Sequence, residues 1–286
     1  MTAFGARLRA ALDQHGPLCV GIDPHAALLD AWGLGQDADG VREFGLRTVQ
    51  AAAGRVAVVK PQVSFFERFG SRGFAALEEV LAAARAAGLL VLSDAKRGDI
   101  GTTMDGYADA WLAPGAPLES DAVTLSPYLG ADSLRDVLTG ALRQGKGAFV
   151  LAATSNPEGE VVQRARTCDT PATPQESVAQ RVARDVTWLN PSMSDDPMLG
   201  SIGLVIGATV DLESFGLVGD ALRSAPILAP GFGVQGAGPE HLVTRFGAVA
   251  GNVLASESRS ILSAGPDGLV EAIESRAAQY REVLHG

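Results

Sequence analysis

Leu89-Leu90-Val91-Leu92-Ser93-Asp94-Ala95-Lys96-Arg97-Gly98-Asp99 is an apolar run that ends in two acids and two bases. Read as a buried strand, it sends alternate side chains to opposite faces, so Leu90, Leu92, Asp94 and Lys96 share one side. A carboxylate and an ammonium then stand together at the strand's end. Asp99 falls beyond the strand, in or near the next loop, from which it can fold back or reach another subunit. Buried charges are costly unless paired, so the group is either a structural ion network or a site.

Similar short runs recur on both sides of this one. Leu18 to Asp23, Val56 to Pro61, Leu89 to Ala95, Ala122 to Leu125, Ala148 to Ala153, Gly203 to Ala208, Pro226 to Ala229 and Ala248 to Leu254 read as strands. Helical patterns fall between them. Phe74 to Ala87 is the clearest, with Phe74, Leu77, Leu81 and Ala84 on one stripe. Further helices are expected at Val41 to Ala53, Ser133 to Gln144, Gln175 to Leu189, Leu212 to Leu222, Glu240 to Phe246 and Asp267 to Val283. Eight strands alternating with helices predict an α/β fold, a (β/α)8 TIM barrel, for which about 250 residues is typical. The chain has 286 residues. The surplus fits Asn156 to Ser201, a proline-bearing connection read as an insertion between strands five and six of one domain.

Composition narrows the function. Hydrophobic residues make up 47% and charged residues 20%, as expected of an ordered core. A net charge of -10 argues against a general nucleic-acid binder, so an anionic ligand needs a local basic cluster. Cys19 and Cys168 form neither a disulfide framework nor a zinc pattern, and the default expectation is two buried, reduced thiols. The first eighteen residues lack the apolar core of a signal peptide, and no run has the length of a membrane span. A soluble cytoplasmic protein is expected.

In such barrels the site lies at the C-terminal ends of the strands. Polar residues fall there repeatedly: Asp23 ends strand one, Lys60 ends strand two, Asp94 and Lys96 end strand three, and Thr154-Ser155-Asn156 ends strand five. Singly, each has an ordinary structural explanation; together on one rim they point to a site. Gly231-Phe232-Gly233-Val234-Gln235-Gly236 matches a dinucleotide-binding pattern, and Glu257 stands near the place of a ribose-binding acid. A Rossmann half would need more β/α units than remain. The better reading is a barrel phosphate site built by the loops after strands seven and eight, with backbone N–H groups, Gln235 and Arg259 as donors. The four histidines show no metal-ligand spacing, and neither Ser126 nor Ser155 sits in a nucleophile elbow.

These residues resemble the orotidine 5'-phosphate decarboxylase family, in its longer bacterial subtype. The resemblance runs from Gly21-Ile22-Asp23-Pro24 through Lys60-Pro61, Asp94 to Ile100, Ser126-Pro127-Tyr128-Leu129-Gly130 and Pro230-Gly231-Phe232-Gly233 to Arg259. It implies conversion of orotidine 5'-phosphate to UMP and CO2 without metal or cofactor. By resemblance, Asp23 and Lys60 bind the ribose hydroxyls and join the charged network, Asp94 faces the substrate carboxylate, and Lys96 protonates C6. Asp99, Ile100 and Thr103 resemble residues supplied by the partner of a homodimer with shared sites. Ser155 resembles the serine on the pyrimidine amide edge, and Gln235 and Arg259 the phosphate grip. Two other readings compete: a metal-dependent sugar-phosphate lyase on the same barrel, and a non-catalytic sensor of phosphate ligands.

Overall fold

The computed structural model describes residues 2–168, 175–190, 198–218, 222–234 and 236–285. Eight parallel strands close into a barrel in sequence order: β1 (Leu18–Ile22), β2 (Val58–Pro61), β3 (Leu90–Arg97), β4 (Ala122–Leu125), β5 (Gly147–Ala153), β6 (Ile202–Ile206), β7 (Ile227–Pro230) and β8 (Val253–Glu257). The β1–β8 pairing through Leu18↔Ala255 and Val20↔Glu257 makes the closure. This is the expected (β/α)8 TIM barrel.

Period 2 sorts the strand residues into two packed layers. Cys19, Val58, Leu90, Leu92, Phe149, Val205, Leu228 and Leu254 fill the barrel interior. The alternate residues, such as Val20, Val59, Val91, Val123 and Val150, face the surrounding helices. Below the strands, α1 (Phe4–His15) inserts Phe4, Leu8 and Leu12 into the interior cluster. Phe4 meets Phe149 edge to face with centroids 6.1 Å apart. Gly147 permits this plug, because a Cβ there would lie 2.3 Å from the Phe4 ring. Truncating such a buried ring to alanine costs about 3–5 kcal/mol.

Several helices match the sequence pattern closely. They include α3 (Ala38–Ala52), α5 (Gly70–Ala86), α7 (Arg135–Arg143), α9 (Val178–Thr187), α10 (His241–Phe246) and α12 (Gly265–His285). Four short helices, α2 (Ala26–Ala31), α4 (Ser64–Glu67), α8 (Pro157–Gln163) and α11 (Arg259–Leu262), lie near strand ends. The pattern did not reveal α6 (Gly101–Leu112), whose fully buried set is only Met104, Trp111 and Leu112 and leaves no clear stripe.

Three expectations need correction. Residues 212–216 form turns and 217–218 are irregular rather than helical, and 219–221 lie outside the described residues. Strand eight begins at Val253, not Ala248, because Gly247–Asn252 winds as a 3-10 helix. Cys19 is buried as expected, but Cys168 is exposed, since it sits on the excursion between α8 and α9, away from either packed layer.

Candidate active site

The charged group of β3 gathers where the interior layer meets the C-terminal rim. Lys60 continues the inward series from Val58, and Asp94 the series from Leu90 and Leu92. Asp94 receives two ammonium groups: Lys60 Nζ is 3.2 Å from Oδ2 and Lys96 Nζ is 2.6 Å from Oδ1. The side chains of Lys60 and Asp94 are only 6% and 11% exposed, whereas that of Lys96 is 45% exposed. Lys60 is therefore locked below, and Lys96 keeps a solvent-exposed side.

Strict alternation does not carry Lys96 to this position. The β3–β4 register shifts between Ser93 and Arg97, and Lys96 has φ of 49°, the only described non-glycine residue with positive φ. A left-handed backbone costs a side-chain-bearing residue about 1–2 kcal/mol. Thr124, inward-facing on β4, holds it: Oγ1 accepts from Lys96 N at 2.9 Å and donates to Asp94 Oδ1 at 2.8 Å. One hydroxyl thus ties the turned backbone to the acid beside it.

The charges sustain one another. Burial opposes ionisation of Asp94, yet Lys60 and Lys96 outweigh it and hold the carboxyl at about 2. Burial likewise disfavours the Lys60 ammonium, but Asp94 and Asp23 raise it above the ordinary lysine range. Beneath the cluster, burial pushes the Cys19 thiol up to about 12, so it stays neutral.

A cavity of about 380 Å³ opens over this floor. Asp23, Lys60 and Asp94 line it together with His25, Phe65, Gly231, Phe232, Val234, Ser256, Ser258, Arg259 and Ser260. Asp23 Oδ1 is buried there without a hydrogen-bond partner, an acceptor that a ligand hydroxyl would satisfy. Arg259 begins α11 directly after β8, beside the glycine loop that follows β7, so a cationic end and an acid–lysine end share one cavity.

Not every expected residue joins this group. Asp99 accepts from Ile100 N at 2.8 Å and contacts neither lysine within the chain; Ile100 is 60% exposed and Thr103 is exposed. Ser155 is exposed on the rim after β5 and does not line the cavity. Gln235 lies outside the described residues. The dinucleotide reading fails at Glu257, whose carboxyl faces outward to Tyr280 and Ser260 and is closed to a ribose. Thr124, Ser256, His25 and Phe65 escaped sequence reading. Thr124 and Ser256 were in principle legible, each standing two residues beyond an inward apolar position, Ala122 and Leu254.

A closed parallel barrel with a lysine–aspartate–lysine cluster at the strand ends, facing an arginine and a glycine loop, defines a barrel enzyme for a small anionic substrate. The chain belongs to the orotidine 5'-phosphate decarboxylase / HUMPS family, whose model matches residues 16–274. It is 51% identical over 288 residues to an orotidine 5'-phosphate decarboxylase of Salinispora tropica, covering 100% of both chains. It is 50% identical over 281 residues to the Streptomyces coelicolor protein of the same name, covering 98% of this chain and 96% of that one. A crystal structure of a Streptomyces avermitilis protein assigned the same activity superposes with a TM-score of 0.92 at 48% identity, covering 100% of this chain and 97% of the other.

Proposed function

We propose that this chain decarboxylates orotidine 5'-phosphate to UMP and CO2, the carboxy-lyase step that completes UMP in pyrimidine biosynthesis. The observation that carries the residue-level reading is the doubly paired Asp94, with buried Lys60 beside it on the cavity floor and half-exposed Lys96 on its other oxygen, outside the cavity lining.

Loss of CO2 from C6 breaks the bond between C6 and the carboxyl carbon and leaves the electron pair in an sp2 orbital that the ring cannot delocalise. Preorganised charge offsets that cost. Lys96 faces the developing carbanion and transfers a proton from Nζ to C6, after which solvent reprotonates the amine. Asp94 stands against the departing carboxylate, and Lys60 and Thr124 fix its position. Asp23, with its unpartnered oxygen, and Lys60 take the ribose hydroxyls. Arg259 and Gln235 grip the phosphate, and Ser155 meets the pyrimidine amide edge when the rim closes. Binding energy from the phosphate, remote from C6, then assists the chemical step.

Asp99, Ile100 and Thr103 act in this reading on the neighbouring site of a homodimer. The exposure of Ile100 and Thr103, and the lack of a contact from Asp99 to either site lysine, support that role. We also read residues 1–286 as one barrel domain, with 156–201 as an insertion, working in the cytoplasm. Among the described residues no helix is long and apolar enough to cross a membrane.

A metal-dependent sugar-phosphate lyase needs carboxylate oxygens free to ligate a cation, and here Lys60 and Lys96 occupy both oxygens of Asp94. No cofactor enters the proposed reaction. CO2 release from orotidine 5'-phosphate, assayed with and without chelator, tests this directly. Equal rates in both arms are expected; absence of release, or its loss with chelator, would refute the proposal.

A further inference from the structure

Glu257 is a buried carboxyl group that the proposed chemistry does not use. It ends β8 on the outward face, and its side chain is 0% exposed. A carboxyl group in that layer is costly unless every oxygen is engaged. Both are: Oε1 accepts from Tyr280 Oη at 2.7 Å and lies 3.4 Å from Arg276 Nη1, and Oε2 accepts from Ser260 Oγ at 2.5 Å.

The partners of Glu257 surround the cationic end of the cavity. Ser260 is the next residue after Arg259 and lines the cavity with it. Tyr280, from α12, meets Phe232 of the glycine loop edge to face, with centroids 5.6 Å apart. Gly233 lies directly on the pair: a Cβ there would stand 2.4 Å from Ser260 Oγ and 2.8 Å from Glu257 Oε2. Its φ of 78° also favours glycine. Burial, followed by the adjacent Glu257, raises the Tyr280 hydroxyl above its usual range, so it remains a donor. One carboxyl group therefore fastens the start of α11, the face of α12 and the glycine loop to a common point.

We propose that Glu257 is a positioning residue for phosphate recognition, holding Ser260 and Tyr280 so that Arg259 and the glycine loop form a preset anion cradle. The inference rests on the reading of Arg259 as the phosphate ligand. It separates Glu257 from a merely structural carboxyl, because it requires the effect of Glu257 to pass through Arg259.

A double-mutant cycle read by UMP binding tests that requirement. Glu257→Gln should weaken UMP binding by about 10-fold, the scale of one hydrogen bond lost or disturbed near a charge. Tyr280→Phe, which keeps the ring on Phe232, should weaken it by about 3-fold. In the Arg259→Ala background each should change affinity by less than about 2-fold. Should Glu257→Gln fail to fold, Tyr280→Phe carries the cycle alone. The inference is overturned if the losses are the same in both backgrounds, or if every folded variant binds UMP as the parent does. A parent chain that binds UMP but releases no CO2 from orotidine 5'-phosphate would instead refute the proposed function and leave the cycle interpretable.

Discussion

Two ion clusters lie at opposite ends of the same barrel, and they are built differently. At the N-terminal end, Arg7 pairs with Asp121 at 2.5 Å, and Lys146 Nζ pairs with Glu119 at 2.7 Å. Backbone groups complete this cluster: Asp121 Oδ2 accepts from Val91 N, Lys146 donates to Ser120 O, and Arg7 donates to Gly145 O. At the C-terminal end, one acid holds two lysines, Lys96 occupies a left-handed backbone, and Asp23 Oδ1 has no partner. The lower cluster ties strand starts to α1 and completes itself. The upper cluster carries strain and an unmet acceptor, the marks of a site organised for a ligand.

Experiment can separate the two clusters. The largest effect should come from subunit mixing: Lys96→Ala and Asp99→Ala proteins should each be inactive alone and recover CO2 release when combined. Verified mixed dimers without recovery would remove Asp99 from the neighbouring site. At the lower end, Lys146→Met should cost about 1–2 kcal/mol of stability by removing the donor to Glu119 Oε1 and to the buried Ser120 carbonyl, while kcat stays unchanged. Chemical denaturation alongside steady-state kinetics would show this, and a matching loss of kcat would erase the distinction between the clusters.

Titration should also report on the upper cluster. The folded pKa of Asp94 lies below its unfolded value, so its contribution is fully present above about pH 4 and is lost as pH falls toward 2. Asp94→Asn should lose roughly 2 kcal/mol less than the parent across that interval. Parallel stability curves would contradict the assigned charge state. The smallest effect is expected for Thr124→Val, which removes both bonds to the β3 turn. It should lower kcat about 10-fold with little change in KM, the pattern of a group that positions the reacting charge. An unchanged kcat would leave the Lys96 turn without need of that hydroxyl.

The barrel was legible because buried strands announce themselves as aliphatic runs, and the β3 cluster because charge so close to such a run demands an explanation. Asp23, Lys60, Asp94 and Arg259 could be placed on one cavity for the same reason: each stands at or just beyond a strand's end. Thr124 was hidden because a threonine inside Ala122–Leu125 reads as an ordinary β-former. The turn at Lys96 was hidden too, since period 2 places the side chain on the correct face for the wrong reason. Small apolar residues misled at Ala248 to Asn252, where alanine, valine and glycine suit a strand or a tight helix equally. Asp99, Ile100 and Thr103 could not be assembled from one chain, because their proposed site belongs to another.

CO2 release by Lys96→Ala, measured on protein whose UMP affinity has been determined in the same preparation, tests the reacting centre most directly. Removing the proposed proton donor, and with it the charge proposed to face C6, should lower turnover at least about 1,000-fold while UMP binding remains measurable. Turnover near that of the parent, with UMP bound, would contradict the assignment of the upper cluster as the place where the bond breaks.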